Sequence, residues 1–289
     1  MQIRPTVMTP DCIRTYCFSP TGTSRKTPDS IARGPARPAG ARAPLTARTP
    51  PPPPPPTPAE MLSEREVALF AVPVYGGHVP PPALKRLAGI RGDRTPAVIV
   101  AVYGNRAFEK AASELAAFVR ERGFVPVAAA AFVGEHSYSS ERTPIAAGRP
   151  DAEDLAAAEA FGHAIRRKLV QEGAVPVEAA RRNDPATPLI PLLRFIGFVC
   201  AYRRRQKKHP VVLLPAGDEA LCTHCGRCAA ACPTDAIARG DELHTDPARC
   251  IRCCACVKGC PVGARRFDTP FAAALARHFA RREPPVTSL

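Results

Sequence analysis

Two copies of one cysteine run constrain this chain more than anything else in it. The first reads Cys222-x2-Cys225-x2-Cys228-x3-Cys232-Pro233 and the second Cys250-x2-Cys253-x2-Cys256-x3-Cys260-Pro261. Thiolates at this spacing on a tight loop converge on one cluster, while the fourth cysteine of each run is carried by a short helix to the other cluster. One 4Fe-4S cluster is therefore assigned to Cys222, Cys225, Cys228 and Cys260, and the other to Cys250, Cys253, Cys256 and Cys232. Zinc is the competing metal, because paired Cys-x2-Cys spacings also make closed tetrahedral sites. A zinc site has no use for the third-and-fourth-cysteine pattern with its trailing proline, written twice.

Over about residues 218–268 the chain resembles the bacterial two-cluster ferredoxin module, a small α+β domain; all eight ligands and both prolines match. Gly226 fits the Cys-Gly-x-Cys turn of that module, and Ala236 with Ile237 fits the apolar packing after the first proline.

A length of 289 residues leaves room for about two domains. Of the twelve cysteines, eight are taken by the two runs, and the N-terminus lacks the basic-then-apolar pattern of an export signal. The expected compartment is reducing cytoplasm. The longest apolar stretch, Phe195 to Tyr202, is eight residues, far short of the roughly 20 that cross a bilayer. The net charge of +14 sits mainly outside the cysteine region: residues 191–210 hold six basic and no acidic side chains, whereas residues 218–268 hold seven of each. Such charge attracts acidic partners generally and does not mark a nucleic-acid site.

The N-terminal part alternates strand and helix patterns. Ile13 to Phe18 reads as a β-strand and runs into Ser19-Pro20-Thr21-Gly22-Thr23-Ser24, followed by a helical segment over 25–34. Hydroxyls and amides at a strand-to-helix turn make an anion cradle, because the first helical N–H groups lack partners and the dipole favours negative charge. A plain Ser/Thr cap is the alternative. The second strand is expected at 41–46 as a poor edge strand, followed by a mobile loop containing the proline run 50–56. Val67 to Pro73 and Ala97 to Val102 are continuous apolar runs suited to buried parallel strands. Each ends in a Tyr-Gly element, Val74-Tyr75-Gly76-Gly77 and Tyr103-Gly104-Asn105. A helix over 108–122 places Phe108, Ala112, Leu115, Ala116 and Val119 on one stripe, Val125 to Val133 is the last strand, and a helix runs from Asp151 to about Gln171. This order implies an α/β fold with a parallel sheet and ligands at the carboxyl ends of its strands.

Ser19-x-Thr21-Gly22-x-Ser24 is similar to the flavodoxin loop that binds the 5′-phosphate of FMN, which also engages Thr23, and the two Tyr-Gly loops look like the pair that sandwiches the isoalloxazine ring. The resemblance implies a flavodoxin-like doubly wound sheet of order 2-1-3-4-5, with Tyr75 or Tyr103 stacking on the flavin; the alternative for either is a turn tyrosine with its ring on the protein surface. With Glu135-His136-Ser137-Tyr138 and Ala147-Gly148-Arg149-Pro150, the arrangement resembles the EFR family of flavodoxin–ferredoxin fusions. His136 and Tyr138 are candidate proton donors; the alternative for His136 is a hydrogen-bonded loop residue.

The expected organisation is an FMN-binding domain at 12–175 carrying a proline-rich insert at 35–60, a basic linker at 176–217, the two-cluster domain at 218–268, and a C-terminal helix and tail at 269–289. In the linker, Phe195 to Tyr202 with the basic residues after it fits packing on a neighbouring domain, an anionic membrane surface or an acidic partner. Thr269 and Pro270 suit the start of a short helix. Cys12, Cys17 and Cys200 are expected as free thiols and Cys254 as a small apolar residue beside its cluster. Clusters pass single electrons and FMN holds one or two, so the expected function is electron transfer between the clusters and FMN, and on to a redox partner protein or small-molecule acceptor. A reductase of a bound small molecule and a cluster-based redox sensor with an empty flavin site are the alternatives. No side chain is expected to act as a covalent nucleophile.

Overall fold

The computed structural model describes residues 10, 12–34, 47–48, 60–179 and 188–289. In chain order the first part contains β1 (Cys12–Cys17), α1 (Thr23–Arg33), β2 (Ala47–Arg48), β3 (Glu60–Leu62), β4 (Glu66–Pro73), α2 (Pro81–Leu87), β5 (Ile90–Gly92), β6 (Thr95–Tyr103), α3 (Ala111–Arg120), β7 (Phe124–Val133) and α4 (Ala152–Gln171). Then follow α5 (Leu189–Lys208), β8 (Ala216–Gly217), α6 (Arg227–Ala231), α7 (Ala255–Lys258), β9 (Arg265–Arg266), α8 (Pro270–His278) and β10 (Val286–Ser288).

The continuous apolar runs become central strands because both faces of the sheet are covered. Along β4, successive side chains point to opposite faces. Ala68, Phe70 and Val72 join a core with Ala83 and Leu87 of α2 and Leu115 and Val119 of α3. Val67, Leu69 and Ala71 join a second core with Ile31 of α1 and Phe161 and Ile165 of α4. Five strands are mutually parallel in the order β2-β1-β4-β6-β7. Since β3 and β5 form a separate parallel pair, that order is second-first-third-fourth-fifth among the strands of the main sheet. The crossover direction reverses between β1 and β4, which opens a crevice at the carboxyl ends of the strands.

The short edge strand lies at Ala47–Arg48, paired with Thr15 and Tyr16. The edge strand expected at 41–46 and the proline run at 50–56 lie outside the described residues. Asp151 caps α4 by accepting from the Asp154 amide, and the Asp154 carboxylate accepts in return from the Asp151 amide. Phe108, placed at the start of the third helix by its periodicity, instead precedes α3, although all five residues of the expected stripe are buried.

Two features depart from the sequence reading. The segment expected as a linker contains α5, a 20-residue helix that begins after the undescribed stretch 180–187. The tail does not trail away: β10 pairs antiparallel with β7, matching Val286 to Ala131 and Ser288 to Ala129. Three residues of β-branched or small character carry too little pattern to announce a strand, but they cover an edge that would otherwise present unpaired backbone groups. The start of α8 matches expectation, with Thr269 accepting from the Phe271 amide and Pro270 in its first turn.

Candidate redox site

The two cysteine runs fold alike. His224 and Arg252, each just before the second cysteine of its run, have φ of 49° and 55°. Gly226 and Cys254, the residues after that cysteine, have φ of 70° and 58° and open α6 and α7. The second run thus holds a cysteine where the first has glycine, in a backbone region that costs an L residue about 1–2 kcal/mol. Cys254 is buried, and its neighbours' φ values show that the winding of the loop, not the residue type, sets its conformation. Helices α6 and α7 meet through Cys228, Ala229, Ile237 and Cys256, with Ala236 also buried.

This winding brings Cys222, Cys225, Cys228 and Cys260 to the wall of one small cavity. Cys232, Cys250, Cys253 and Cys256 line another, together with Ile251 and Cys254. Each fourth cysteine lies with the run that is distant in sequence. Among the described residues no group of three or more such side chains is arranged to hold a metal ion. In a 4Fe-4S site each thiolate binds its own iron, so four sulfurs surround a cage and need not close on a point. The donor set of four thiols around each cavity suits that chemistry.

In the sequence Arg265 is one of seven basic residues balanced by seven acidic ones, but in the fold it is buried between the cages. Its Nη1 donates to the carbonyls of Glu242 (2.9 Å) and Leu243 (3.0 Å) and its Nη2 to that of Pro215 (2.8 Å), with Thr245 Oγ1 also accepting. Nη2 lies 4.0 Å from Cys256 Sγ, and Arg265 also lines the cavity of Cys222, Cys225, Cys228 and Cys260. Its charge lowers the thiol pKa of both Cys228 and Cys256 against the burial that raises them. Of the adjacent arginines on β9, one points in and one out; alternation would have flagged the pair but not which member is inside.

At the carboxyl edge of the main sheet lies a cavity of about 790 Å³. Thr21, Thr23 and Ser24 reach it from the turn after β1, Val74, Tyr75, Gly76 and Gly77 from the loop after β4, Tyr103 and Gly104 from the end of β6, and His136 and Tyr138 from the loop after β7. Ser19 and Gly22 flank the same turn. Gly22 opens α1 at φ 79° with no side chain capping the helix, and the Ser19 hydroxyl is buried without a partner. An uncapped helix start beside an orphaned hydroxyl is a cradle for an anion.

The glycines serve different ends. Gly76 (φ 61°) and Gly77 (φ 87°) are the central pair of a tight turn closed by reciprocal backbone bonds between Tyr75 and His78 (3.0 and 3.2 Å). Both positions need positive φ, which glycine supplies without strain. Gly104 instead makes room: a Cβ there would meet the His136 ring at 2.2 Å.

Of the expected cofactor contacts, Asn105 lies outside the cavity and Tyr103 reaches it with its ring turned inward. Asn105 is not among the residues lining the cavity; its Nδ2 donates to the carbonyls of Phe279 and Arg281, 2.7 Å each, and so fastens the C-terminal tail. Tyr103 reaches the cavity, but its ring is in the core, edge-on to Phe108 at 5.6 Å, leaving little face to stack on a ligand. Tyr75, half-buried, keeps that option.

Burial pushes His136 down to about 4, helped by the charges of Arg106 and Lys258, so near neutral pH it is uncharged. Its Nδ1 accepts from the Tyr138 amide at 3.0 Å, which leaves the proton on Nε2. It can donate a hydrogen bond but holds no spare proton. Burial and the nearby thiols push Tyr138 up to about 12, and its ring packs edge-on against both His136 and Phe267.

Cavity and cages adjoin. Ile251 lines both the large cavity and the cage of Cys232, Cys250, Cys253 and Cys256. Tyr75 and Tyr138 both lie close enough to Cys253 and Cys254 for those thiols to help raise their pKa, after burial. Lys258 of α7 donates to Glu135 Oε1 and to the Ser139 carbonyl, both at 2.8 Å, and Arg86 to the Pro233 carbonyl at 2.9 Å, so the two halves are pinned across this boundary.

Residues 215–238 and 243–266 each match the family model of the 4Fe-4S binding domain. The two matches support two 4Fe-4S clusters and iron-sulfur electron transfer by this segment. No curated protein matches the chain.

Proposed function

We propose that the chain is an iron-sulfur flavoprotein of the flavodoxin–ferredoxin fusion kind, passing electrons between two 4Fe-4S clusters and FMN and on to a further acceptor. The observation that carries this reading is Ile251, which follows Cys250 in the chain, lines the cage of Cys232, Cys250, Cys253 and Cys256, and also forms part of the wall of the large cavity. Residues 12–175 form the flavin domain and residues 218–268 the two-cluster domain. Cys250, Cys253, Cys256 and Cys232 hold the cluster beside the cavity, and Cys222, Cys225, Cys228 and Cys260 hold the outer one.

Thr21, Thr23, Ser24 and the amides opening α1 hold the FMN phosphate, with the Ser19 hydroxyl supplying a donor that now has no partner. Tyr75, which lines the cavity, would offer its ring face to the flavin ring system. FMN supplies the ability to take electrons singly and release them in pairs. His136 contributes a neutral Nε2–H donor at the sheet edge, a hydrogen-bonding role in place of the proton-donor role considered from sequence. Arg265 raises the ease of reduction at both cages by placing a buried positive charge next to the thiolates.

A second reading, a reductase of a small molecule, draws support from α5. Leu192, Phe195, Ile196 and Val199 wall the cavity with Phe271 and Leu275 of α8, which suits a bound acceptor better than an open flavin edge. Anaerobic isolation with analysis of flavin, iron, sulfide and zinc tests the main proposal. Flavin together with iron and sulfide in equal amounts is the expected result; stoichiometric zinc, or iron without any flavin, overturns it. Saturable turnover of small acceptors by the reduced protein separates the reductase from the carrier.

A further inference from the structure

Helix α5 has two unlike sides, and much of the outer one lies outside the cavity. One side is anchored by aromatic contacts: Phe195 on Phe279 (centroids 5.1 Å apart), and Phe198 and Tyr202 on Phe271 (5.2 and 5.0 Å). The opposite side faces out. In its first two turns it carries Leu189, Ile190, Leu193 and Ile196, exposed by 67, 64, 56 and 46 %. The same stripe continues at helical spacing into Arg203, Arg204 and Lys207, all exposed. Among the described residues no carboxylate pairs with these three cations, and α5 contains no acidic residue. Val211 and Val212, just past the helix, are exposed as well.

We propose that this face of α5 docks the protein on an anionic lipid surface. A bilayer interface takes aliphatic side chains at the acyl boundary and Lys or Arg at the level of the phosphates, with no need for a shaped partner. The outward side chains of α5 are aliphatic and then cationic, in that order along the axis. Protein interfaces instead anchor on aromatic residues seated in pockets, and the aromatic residues of α5 are spent inward. The apolar stretch suits lying on a membrane, since no helix among the described residues is long and apolar enough to cross one. Ile196 and Arg203 also line the large cavity, so the docking face and the cavity mouth share one side of the molecule.

The test is co-sedimentation of the full-length, anaerobically prepared protein with phosphatidylcholine vesicles, with and without phosphatidylglycerol, at low and high salt. Binding is expected only with the anionic lipid and is expected to fall with salt. Replacing Arg204→Gln together with Lys207→Gln, neither of which lines the cavity, is expected to weaken partitioning roughly thirtyfold, from the usual contribution per basic residue near an anionic surface. Leu193→Ser is expected to weaken it about tenfold or more through lost apolar insertion. Both changes sit on the exposed face, so iron, sulfide and circular dichroism are expected to stay as in the parent. Sedimentation that is absent, equal on neutral vesicles, or unchanged in both variants overturns the proposal; binding instead to an acidic protein, with vesicles ignored, does so too.

Discussion

Asn105→Ala distinguishes a tail anchor from a cofactor ligand. Asn105 Nδ2 donates to two carbonyls at 2.7 Å, Phe279 in a buried setting and Arg281 in a partly buried one. Removing the amide leaves both acceptors short of a partner, at about 1–3 kcal/mol for a buried group and less for the second. The residue also sits at φ 67°, where alanine costs roughly 1 kcal/mol more than asparagine or glycine. The total is about 3–5 kcal/mol, concentrated on the attachment of the tail. Asn105→Gly, which keeps the φ but loses both bonds, is expected to cost about 2–4 kcal/mol, so the two variants separate conformation from hydrogen bonding. The assay is amide exchange in β10 and the outer edge of β7, whose pairing the tail supplies. Protection there is expected to fall at least a hundredfold in the alanine variant, while flavin content stays at the parent level. Unchanged exchange with loss of flavin would refute the reasoning and return Asn105 to the cofactor.

Other outcomes follow from the site. Cys260→Ser is expected to disturb the cluster of Cys222, Cys225 and Cys228 and to spare its sequence neighbours, as read by spectra of the reduced protein that resolve the two clusters. Thr21→Ala and Gly22→Val are expected to weaken flavin retention without loss of iron; a Cβ at Gly22 meets nothing within 4 Å, so any effect there comes from its φ of 79° and the cradle, not from a clash. His136 has a folded-state pKa depressed to about 4, so the unfolded chain binds the extra proton first. Stability from this group is complete above about pH 6.5 and is lost as pH falls toward 4, by at most about 3 kcal/mol; His136→Asn is expected to flatten that slope in acid unfolding, and an unchanged slope counts against the buried neutral ring. For Arg265→Met, 332/(ε·r) at the 4.0 Å separation from Cys256 Sγ gives about 4 kcal/mol with an effective dielectric of about 20, an upper bound for one electron. Because the added charge spreads beyond one sulfur, a drop in reduction potential of roughly 50–100 mV is expected by redox titration, and a rise would contradict the role given to this cation.

Much of this was legible from residue order because the signals were local and repeated. The repeated spacing of the cysteine runs announces two 4Fe-4S clusters, and β4 and β6 declare burial on both faces by unbroken apolar sequence. What escaped were features that depend on distant partners. Asn105 sits in a loop that reads as a ligand loop, and only the return of residues 279–281 turns its amide the other way. Tyr103 and Tyr75 have the same Tyr-Gly context, yet Phe108 draws one ring into the core. α5 reads as a basic linker until Phe271 and Phe279 give its aromatic stripe something to pack against.

The C-terminal return explains why those distant contacts exist. Because β10 joins the sheet beside β7, the cysteine segment is held at both ends, by α4 and α5 on entry and by α8, Asn105 and β10 on exit. Arg282 adds a clamp on the start of α4, donating to Asp151 Oδ2 at 2.6 Å and holding that exposed carboxyl well below its usual range. A segment fixed at one end would swing about its linker, and its separation from the cavity would vary with every excursion. Two attachments, with Lys258 and Arg86 pinned across the boundary, fix Ile251 against both the cavity and the cage. On the proposed flavoprotein reading the tail strand belongs to the redox architecture: deleting residues 284–289 is expected to slow electron exchange between clusters and flavin while leaving both cofactors bound, and equal rates in the truncated protein would show that the first attachment suffices.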